Sequence, residues 1–236
     1  MKIVAIQQPH YFPWMGYFHK LAGVDEFIFM DEVQLERRSQ MIRNRILDTN
    51  GNIKYLTITG EIQNIYATRY CDFPTKDNAV WIADQVNKLR SYYRAAGHVD
   101  EMMEVLTPFF ERDYGTVCQW TCESTKLICP LLGIDTPIVY KSALDYDREQ
   151  KRSDLILELC KAVGADVYVA GRGASVQYLD RDVFAREGVE IRFQDFTHPV
   201  YPQCHSVDFV AGLSILDLFF NCGIAEAKRI FRETLP

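Results

Sequence analysis

The opening of the chain constrains the fold more than any other stretch. An apolar run, Ile3-Val4-Ala5-Ile6, reads as a buried strand. It gives way to Gln7-Gln8-Pro9-His10-Tyr11-Phe12-Pro13, a polar and aromatic turn stiffened by prolines that fix their own φ and restrict the residues before them. The helical pattern Trp14–Ala22 follows, then a second apolar strand, Glu26–Met30. Strands joined through one short helix pair in parallel, so the expected fold class is α/β: a Rossmann-like, mostly parallel sheet. In such sheets ligands sit beyond the carboxyl ends of the strands. A loop rich in Gln, His, Tyr and Trp at that edge reads as a binding site, with an aromatic plug of the core as the alternative.

Asn50-Gly51-Asn52 marks a hairpin turn between strands Ile42–Leu47 and Ile53–Thr59. Residues 75–132 carry apolar positions at helical spacing, such as Val80, Ala83, Val86 and Leu89, and read as about three helices broken near Gly97 and Gly115. They form a helical insertion within one α/β domain spanning 1–236. Further strands are expected at Ile138–Tyr140, Asp166–Ala170 and Val189–Phe193. Helices are expected at Ser153–Val163, with Ser153 as its N-cap, at Arg181–Glu187, and at Ser214–Asn221 with a break at Gly223.

Composition narrows the function. The formal net charge of −6 disfavours a nucleic-acid face, which needs a basic patch. No run reaches the roughly 20 apolar residues of a membrane span, and Gln7-Gln8 interrupts the first apolar run too early for a signal peptide, so a cytoplasmic protein is expected. The seven cysteines are odd in number and scattered, without a C-x-x-C pair; free, mostly buried thiols are expected rather than a zinc site. Cys204-His205 would need an irregular loop to act as nucleophile and base.

Several residues carry chemistry at this edge. Asp31, just after the second strand, reads as a general base or as a strand-end cap. His10 reads as an acid, base or phosphate donor, whereas His19, inside the helix, reads as structural. Arg37, Arg38, Arg43 and Arg45 form a basic cluster that is either solvated or an anion clamp, for which the planar guanidinium is suited. Lys151-Arg152, with Lys141, is a second such cluster. Gly171-Arg172-Gly173-Ala174-Ser175 follows a strand and offers backbone N–H groups to an anion, but it is neither a Walker motif nor G-x-G-x-x-G. His198 and His205 flank Tyr201-Pro202-Gln203, a late loop read equally as structure or as the far wall of a pocket.

Together these residues resemble the WbqC-like protein family. The resemblance lies in Gln8-Pro9-x-Tyr11-x-Pro13-Trp14-x-Gly16-Tyr17-Phe18, Asp31-x-x-Gln34, Arg43-Asn44-Arg45, Gly171 with Tyr178-Leu179-Asp180, Tyr201-x-Gln203, and the run Leu213–Gly223. It implies a product of bacterial O-antigen or surface-polysaccharide clusters, with a glycine or aminoacyl transferase role onto a sugar. Nucleotidylyltransferases are similar more distantly: their H-x-G-H falls on Trp14-Met15-Gly16-Tyr17, where the glycine stays and both histidines are replaced.

The resulting expectation is transfer of an acyl or aminoacyl group, glycyl included, to the amine of a nucleotide-linked amino sugar. Asp31 or His10 would take the proton, and Gln8, Tyr17 or Gln34 would steady the oxyanion. Arg43, Arg45, Lys151 and Arg152 would hold phosphate, and Tyr11 and Trp14 would stack. Asn44, Gly171, Tyr178, Tyr201 and Gln203 complete the expected substrate-binding set. ATP with Mg2+ or an acyl thioester would supply activation. The alternatives are a non-catalytic sugar-nucleotide binder and an ATP-dependent nucleotidylyltransferase-like ligase. No nucleic-acid partner and no metal site are expected, and a homo-oligomer is left open.

Overall fold

The computed structural model describes residues 1–36, 39–61, 65, 67–173 and 175–235. Strands β1 (Ile3–Gln7), β2 (Glu26–Phe29), β5 (Ile138–Tyr140), β6 (Val167–Ala170) and β7 (Glu190–Phe193) form a parallel sheet in the order β5-β2-β1-β6-β7. Between β1 and β2 lies helix α1 (Met15–Ala22). The chain first builds outward from β1 through β2 to β5, then returns to the other side of β1 as β6 and β7. Strand order therefore reverses between β1 and β6, and a crevice opens there beyond the carboxyl ends. Strands β3 (Arg43–Leu47) and β4 (Ile53–Thr57) form the separate antiparallel hairpin, turning through Gly51 at φ 76°.

The period of two along each strand divides the core. Ala5, Phe27 and Phe29 face one side, where α1, the hairpin, and helices α2 (Asn78–Tyr92), α3 (Val99–Phe110) and α4 (Val117–Leu132) gather with the C-terminal α8 (Ile215–Arg232). Val4, Ile6, Ile28, Tyr168 and Ala170 face the other side, covered by α5 (Arg152–Ala162) and α7 (Arg181–Arg186). A short helix, α6 (Ser175–Tyr178), follows β6 and has no counterpart in the sequence reading.

Gly97 and Gly115 fall between the α2–α4 helices as expected, and Gly223 interrupts α8 with φ 76° and ψ 168°. Ser153 does not cap α5. It lies inside the helix, and its hydroxyl accepts the Asp180 N–H at 2.8 Å, tying α5 to the start of α7. All seven cysteines are free; Cys118, Cys122, Cys129 and Cys160 are buried. No helix among the described residues is long and apolar enough to cross a membrane.

Candidate functional site

The Pro9–Pro13 turn is held by bonds from across the chain. Phe12 adopts φ 38°, a left-handed backbone that a residue with a Cβ rarely takes. Its N–H donates to Ser124 Oγ at 3.0 Å, and its carbonyl accepts from Asn44 Nδ2 at 2.8 Å and Ser214 Oγ at 2.9 Å. Asn44 Nδ2 also reaches the Tyr11 carbonyl at 3.1 Å, and Tyr11 N–H donates to the Gln40 carbonyl at 2.9 Å. Three segments distant in sequence, around Gln40–Asn44, Ser124 and Ser214, thus converge on this turn and outweigh its backbone strain. Asn44 is 1% exposed, so Asn44→Ala strands the Tyr11 carbonyl and the Arg45 N–H that its Oδ1 accepts, and leaves the Phe12 carbonyl with Ser214 alone. A loss of about 2 kcal/mol in urea unfolding is expected, with faster amide exchange at Tyr11 and Phe12.

The turn and α1 wall one lobe of the crevice, a cavity of about 380 Å3 also bounded by Gly171, Gly173 and Phe196. Here lie His10, Trp14, Gly16 and Tyr17, with Gln7, Lys20, Gln40, Arg172 and Gln194. The other lobe, about 450 Å3, has an apolar floor of Ile6, Met30, Leu155 and Ile156, and a polar rim of Gln8, Glu36, Arg152 and Tyr178. Both lobes share Gln7, Gly171 and Gly173, where β1 and β6 end. Arg152 sits at that rim with φ 53°, a second left-handed non-glycine backbone.

Inside the first lobe, Tyr17 is buried and its hydroxyl donates to the Gln8 carbonyl at 3.1 Å. His10 packs against the Tyr17 ring at 5.0 Å, and its Nδ1 is buried without a partner. Burial, aided by the Lys20 charge, lowers the His10 pKa to about 3, so the imidazole is neutral near pH 7. Lys20 is 5% exposed, and its Nζ donates to Gln7 Oε1. Burial lowers its pKa to about 8. No described carboxylate forms an ion pair with it. Gln194 Nε2 donates to the Gly16 carbonyl at 2.7 Å and contacts His19 Nδ1 at 3.1 Å, while His19 Nε2 lies 3.0 Å from the Thr234 carbonyl. The amide donor and the carbonyl acceptor fix a neutral His19 protonated on Nε2, a structural role.

Gly16 is required for a reason other than close approach of a nucleotide. A Cβ there would lie 2.3 Å from Trp14 Cη2, so the indole occupies the space over the glycine. The ring is held edge-on to Phe196 at 5.5 Å and stacked with His198 at 6.3 Å. Gly16→Ala should expel the indole toward solvent, at a cost under about 2 kcal/mol because it is only partly buried. Trp81 and Trp120 are buried, so a red shift of tryptophan emission reads the displacement.

The crevice gathers His10, Trp14, Gly16, Tyr17 and Gly171 in one lobe and Gln8, Arg152, Gly171 and Tyr178 in the other. The remaining expected site residues lie elsewhere. Asp31 is at the carboxyl end of β2 but caps the turn after β5: its Oδ1 accepts the Ser142 N–H at 3.0 Å and its Oδ2 the Ser142 hydroxyl at 2.5 Å. A carboxylate so occupied ties two strand ends together and does not floor the crevice. Tyr11 is sealed in the core, its hydroxyl on Gln85 Oε1 at 2.7 Å, so it offers no stacking face. Gln34 is exposed and bridges to Arg69. The Arg43 guanidinium stacks on Tyr55 at 4.1 Å, and Arg45 Nη2 donates to the Gly212 carbonyl at 2.7 Å. Arg37, Arg38 and Ala174 lie outside the described residues. Lys141 is buried, donates to the Glu32 carbonyl at 3.0 Å, and is separate from exposed Lys151.

Tyr201 and Gln203 serve α8. Tyr201 Oη and Gln203 Nε2 donate to Asp217 Oδ2 at 3.0 and 2.9 Å, while Tyr93 Oη donates to Oδ1 at 2.8 Å. The N- and C-terminal motifs do meet: the Ile215 N–H donates to the Pro13 carbonyl at 2.9 Å and Trp14 pairs with Ser214. Cys204 and His205 form no pair; the Cys204 N–H bonds Asn221 Oδ1 and His205 Nε2 lies 2.5 Å from the Tyr92 carbonyl.

Sequence reasoning missed Lys20, Gln7, Gln40 and Gln194 as crevice residues. Lys20 had a signal. Every residue of α1 from Met15 to Leu21 is buried, and a lone lysine in a helix enclosed between β1 and β2 has no solvent to reach. Gln7 ends a central strand covered on both faces, so its side chain can only turn to the rim.

The fold defines an α/β protein with a two-lobed crevice at a topological switch point. The chain belongs to the WbqC-like protein family, whose model matches residues 8–229. It is 31% identical over 234 residues to the uncharacterized protein Rv1507c of Mycobacterium tuberculosis, covering 98% of each chain. No solved structure matches.

Proposed function

We propose that the chain is a transferase that places an acyl or aminoacyl group, glycyl first among those to test, on the amine of a nucleotide-linked amino sugar in surface-polysaccharide biosynthesis. The single observation carrying this reading is the pair of lobes sharing Gln7, Gly171 and Gly173. Two substrates seated one per lobe would bring their reacting ends together at that shared rim. The larger lobe suits the sugar nucleotide: an apolar floor for the base, the Tyr178 ring beside it, and Arg152 for phosphate. The lobe with Trp14, His10 and Lys20 suits the donor.

In the transfer the amine nitrogen forms a bond to the acyl carbon, the bond from that carbon to its leaving group breaks, and the ammonium proton must go to a base. His10, with an unpartnered Nδ1, is the candidate acceptor; at a pKa of about 3 it is a weak base, which an anion beside Lys20 would strengthen. A thioester donor would release a thiol; a free carboxylate would need ATP with Mg2+ to create a leaving group. The absent H-x-G-H histidines and the indole over Gly16 support a donor that arrives already activated. Those same features favour, as the second reading, a sugar-nucleotide carrier without turnover.

Incubation of the protein with nucleotide amino sugars, using either glycine, ATP and Mg2+ or a panel of acyl and aminoacyl thioesters, is expected to give a new amide by mass spectrometry. Binding of the sugar nucleotide without an amide in any arm would overturn transfer and leave the carrier reading.

A further inference from the structure

The first lobe contains a cation without a counter-ion. Lys20 is 5% exposed yet borders the cavity, and Gln7 Oε1, a neutral acceptor, fixes the direction of its Nζ. His10, which lines the same lobe and feels the Lys20 charge, is held neutral and leaves its Nδ1 unpartnered. Arg172 brings a second positive group to the same wall; its Nε donates to the Gln194 carbonyl at 2.9 Å and its Nη2 lies 3.7 Å from the exposed carboxylate of Asp195, which also lines the lobe. A buried ammonium facing only neutral partners is costly to desolvate and gains most from an anion delivered to it. The other buried charges differ. Lys141 faces the Glu32 carboxylate at 4.0 Å, and Asp31 and Asp217 are each surrounded by donors.

We propose that Lys20, set by Gln7 and faced by His10, is an oxyanion-binding subsite that takes a carboxylate or phosphoryl oxygen of a small-molecule ligand. The inference rests on the two-lobed site described above and assigns the charge of the group that enters the first lobe. An oxyanion there would also cancel the Lys20 charge that helps depress His10, and so raise the basicity of that imidazole as the ligand arrives.

The test labels amines in the wild-type protein at pH 8 with formaldehyde and cyanoborohydride, and reads each lysine by mass spectrometry. An amine with a pKa near 8 holds a neutral fraction about 100-fold larger than that of an ordinary lysine. Parallel reactions contain inorganic phosphate, acetate, or sodium chloride at matched ionic strength. Labelling of Lys20 is expected to fall at least tenfold with phosphate or with acetate relative to chloride, while exposed Lys54 and Lys151 are unchanged. Protection by phosphate alone assigns a phosphoryl group; protection by acetate assigns a carboxylate. Equal labelling in all three salts, or a Lys20 that is never labelled because it is sealed from the crevice, overturns the subsite. Protection without amide formation in the transfer assay keeps the subsite and removes the transferase reading; amide formation without protection does the reverse.

Discussion

Lys20→Met is expected to yield a protein that is more stable than the parent and binds oxyanions at least 100-fold more weakly in its first lobe. Both effects have one cause. The parent holds an ammonium where solvent barely reaches, and the fall of its pKa from 10.5 to about 8 corresponds to a cost of roughly 3 kcal/mol near pH 7. Methionine has nearly the same length, carries no charge and suits an enclosed helix. Gln7 Oε1 loses its donor, but the Gln7 side chain is only partly buried and opens on the crevice, where water replaces the amine.

The pH dependence separates this account from a general packing gain. The folded state binds the Lys20 proton more weakly than the unfolded chain does, so between about pH 8 and 10.5 the unfolded state holds more protons and stability rises with pH. In Lys20→Met that alkaline rise disappears, and the gap between variant and parent closes across the same window. His10 acts at the opposite end. Its folded pKa of about 3 lies below the ordinary 6.5, so its contribution is complete above 6.5 and is lost as the pH falls toward 3. That acid limb should persist in the variant with the same onset but end at a higher pH and with a smaller total loss, because removing the Lys20 charge lets the folded imidazole protonate more readily. Urea unfolding of both proteins from pH 3 to 11 reads every part. A variant that is less stable than the parent at pH 7 would show that the ammonium is solvated in the parent.

How much of this was legible in the sequence depended on the range of the interactions involved. Local patterns set the β1-α1-β2 opening, the hairpin at Gly51 and the helix breaks at Gly97, Gly115 and Gly223, because apolar period and backbone freedom are properties of neighbouring residues. The crevice edge followed from parallel pairing alone. What the sequence could not show was which polar side chains spend their hydrogen-bonding capacity on the scaffold. Asn44, Tyr11, Asp31, Tyr201 and Gln203 look like binding residues because they are polar or aromatic and sit near turns. Their partners, Phe12, Gln85, Ser142 and Asp217, are remote along the chain for all but the late loop, and no periodicity reports them. Lys20 is the converse. Nothing in the sequence marks it apart from its helix, and it became distinctive only once α1 was seen to be enclosed along its length. A family motif therefore mixes residues that meet ligand with residues that hold the turn, and only burial and partners sort them.

Asp217→Ala is expected to cost about 3–5 kcal/mol, the largest loss among single substitutions argued from this structure. The carboxylate is 1% exposed in the first turn of α8 and receives Tyr93 from the end of α2, and Tyr201 and Gln203 from the loop after β7. Truncation leaves those three donors facing a void, which is worse than never having buried them. It also loosens α8 beside Ser214, whose hydroxyl holds the strained Phe12 carbonyl, so the damage should propagate to the crevice turn. Asp217→Asn keeps an acceptor oxygen for two of the donors and should cost clearly less; Tyr201→Phe removes one bond and should cost about 1 kcal/mol. Burial raises the Asp217 pKa although its three donors pull the other way. A folded pKa above the unfolded value means that protonation favours the folded state, so the parent's Asp217 contributes most in acid and loses part of that as pH rises through the folded pKa. The parent should therefore outlast Asp217→Ala by a wider margin at pH 4 than at pH 8, with the His10 acid limb common to both. Unfolding free energies within 1 kcal/mol of the parent at both pH values would show that the three donors find other acceptors and that α8 is held by its apolar face alone.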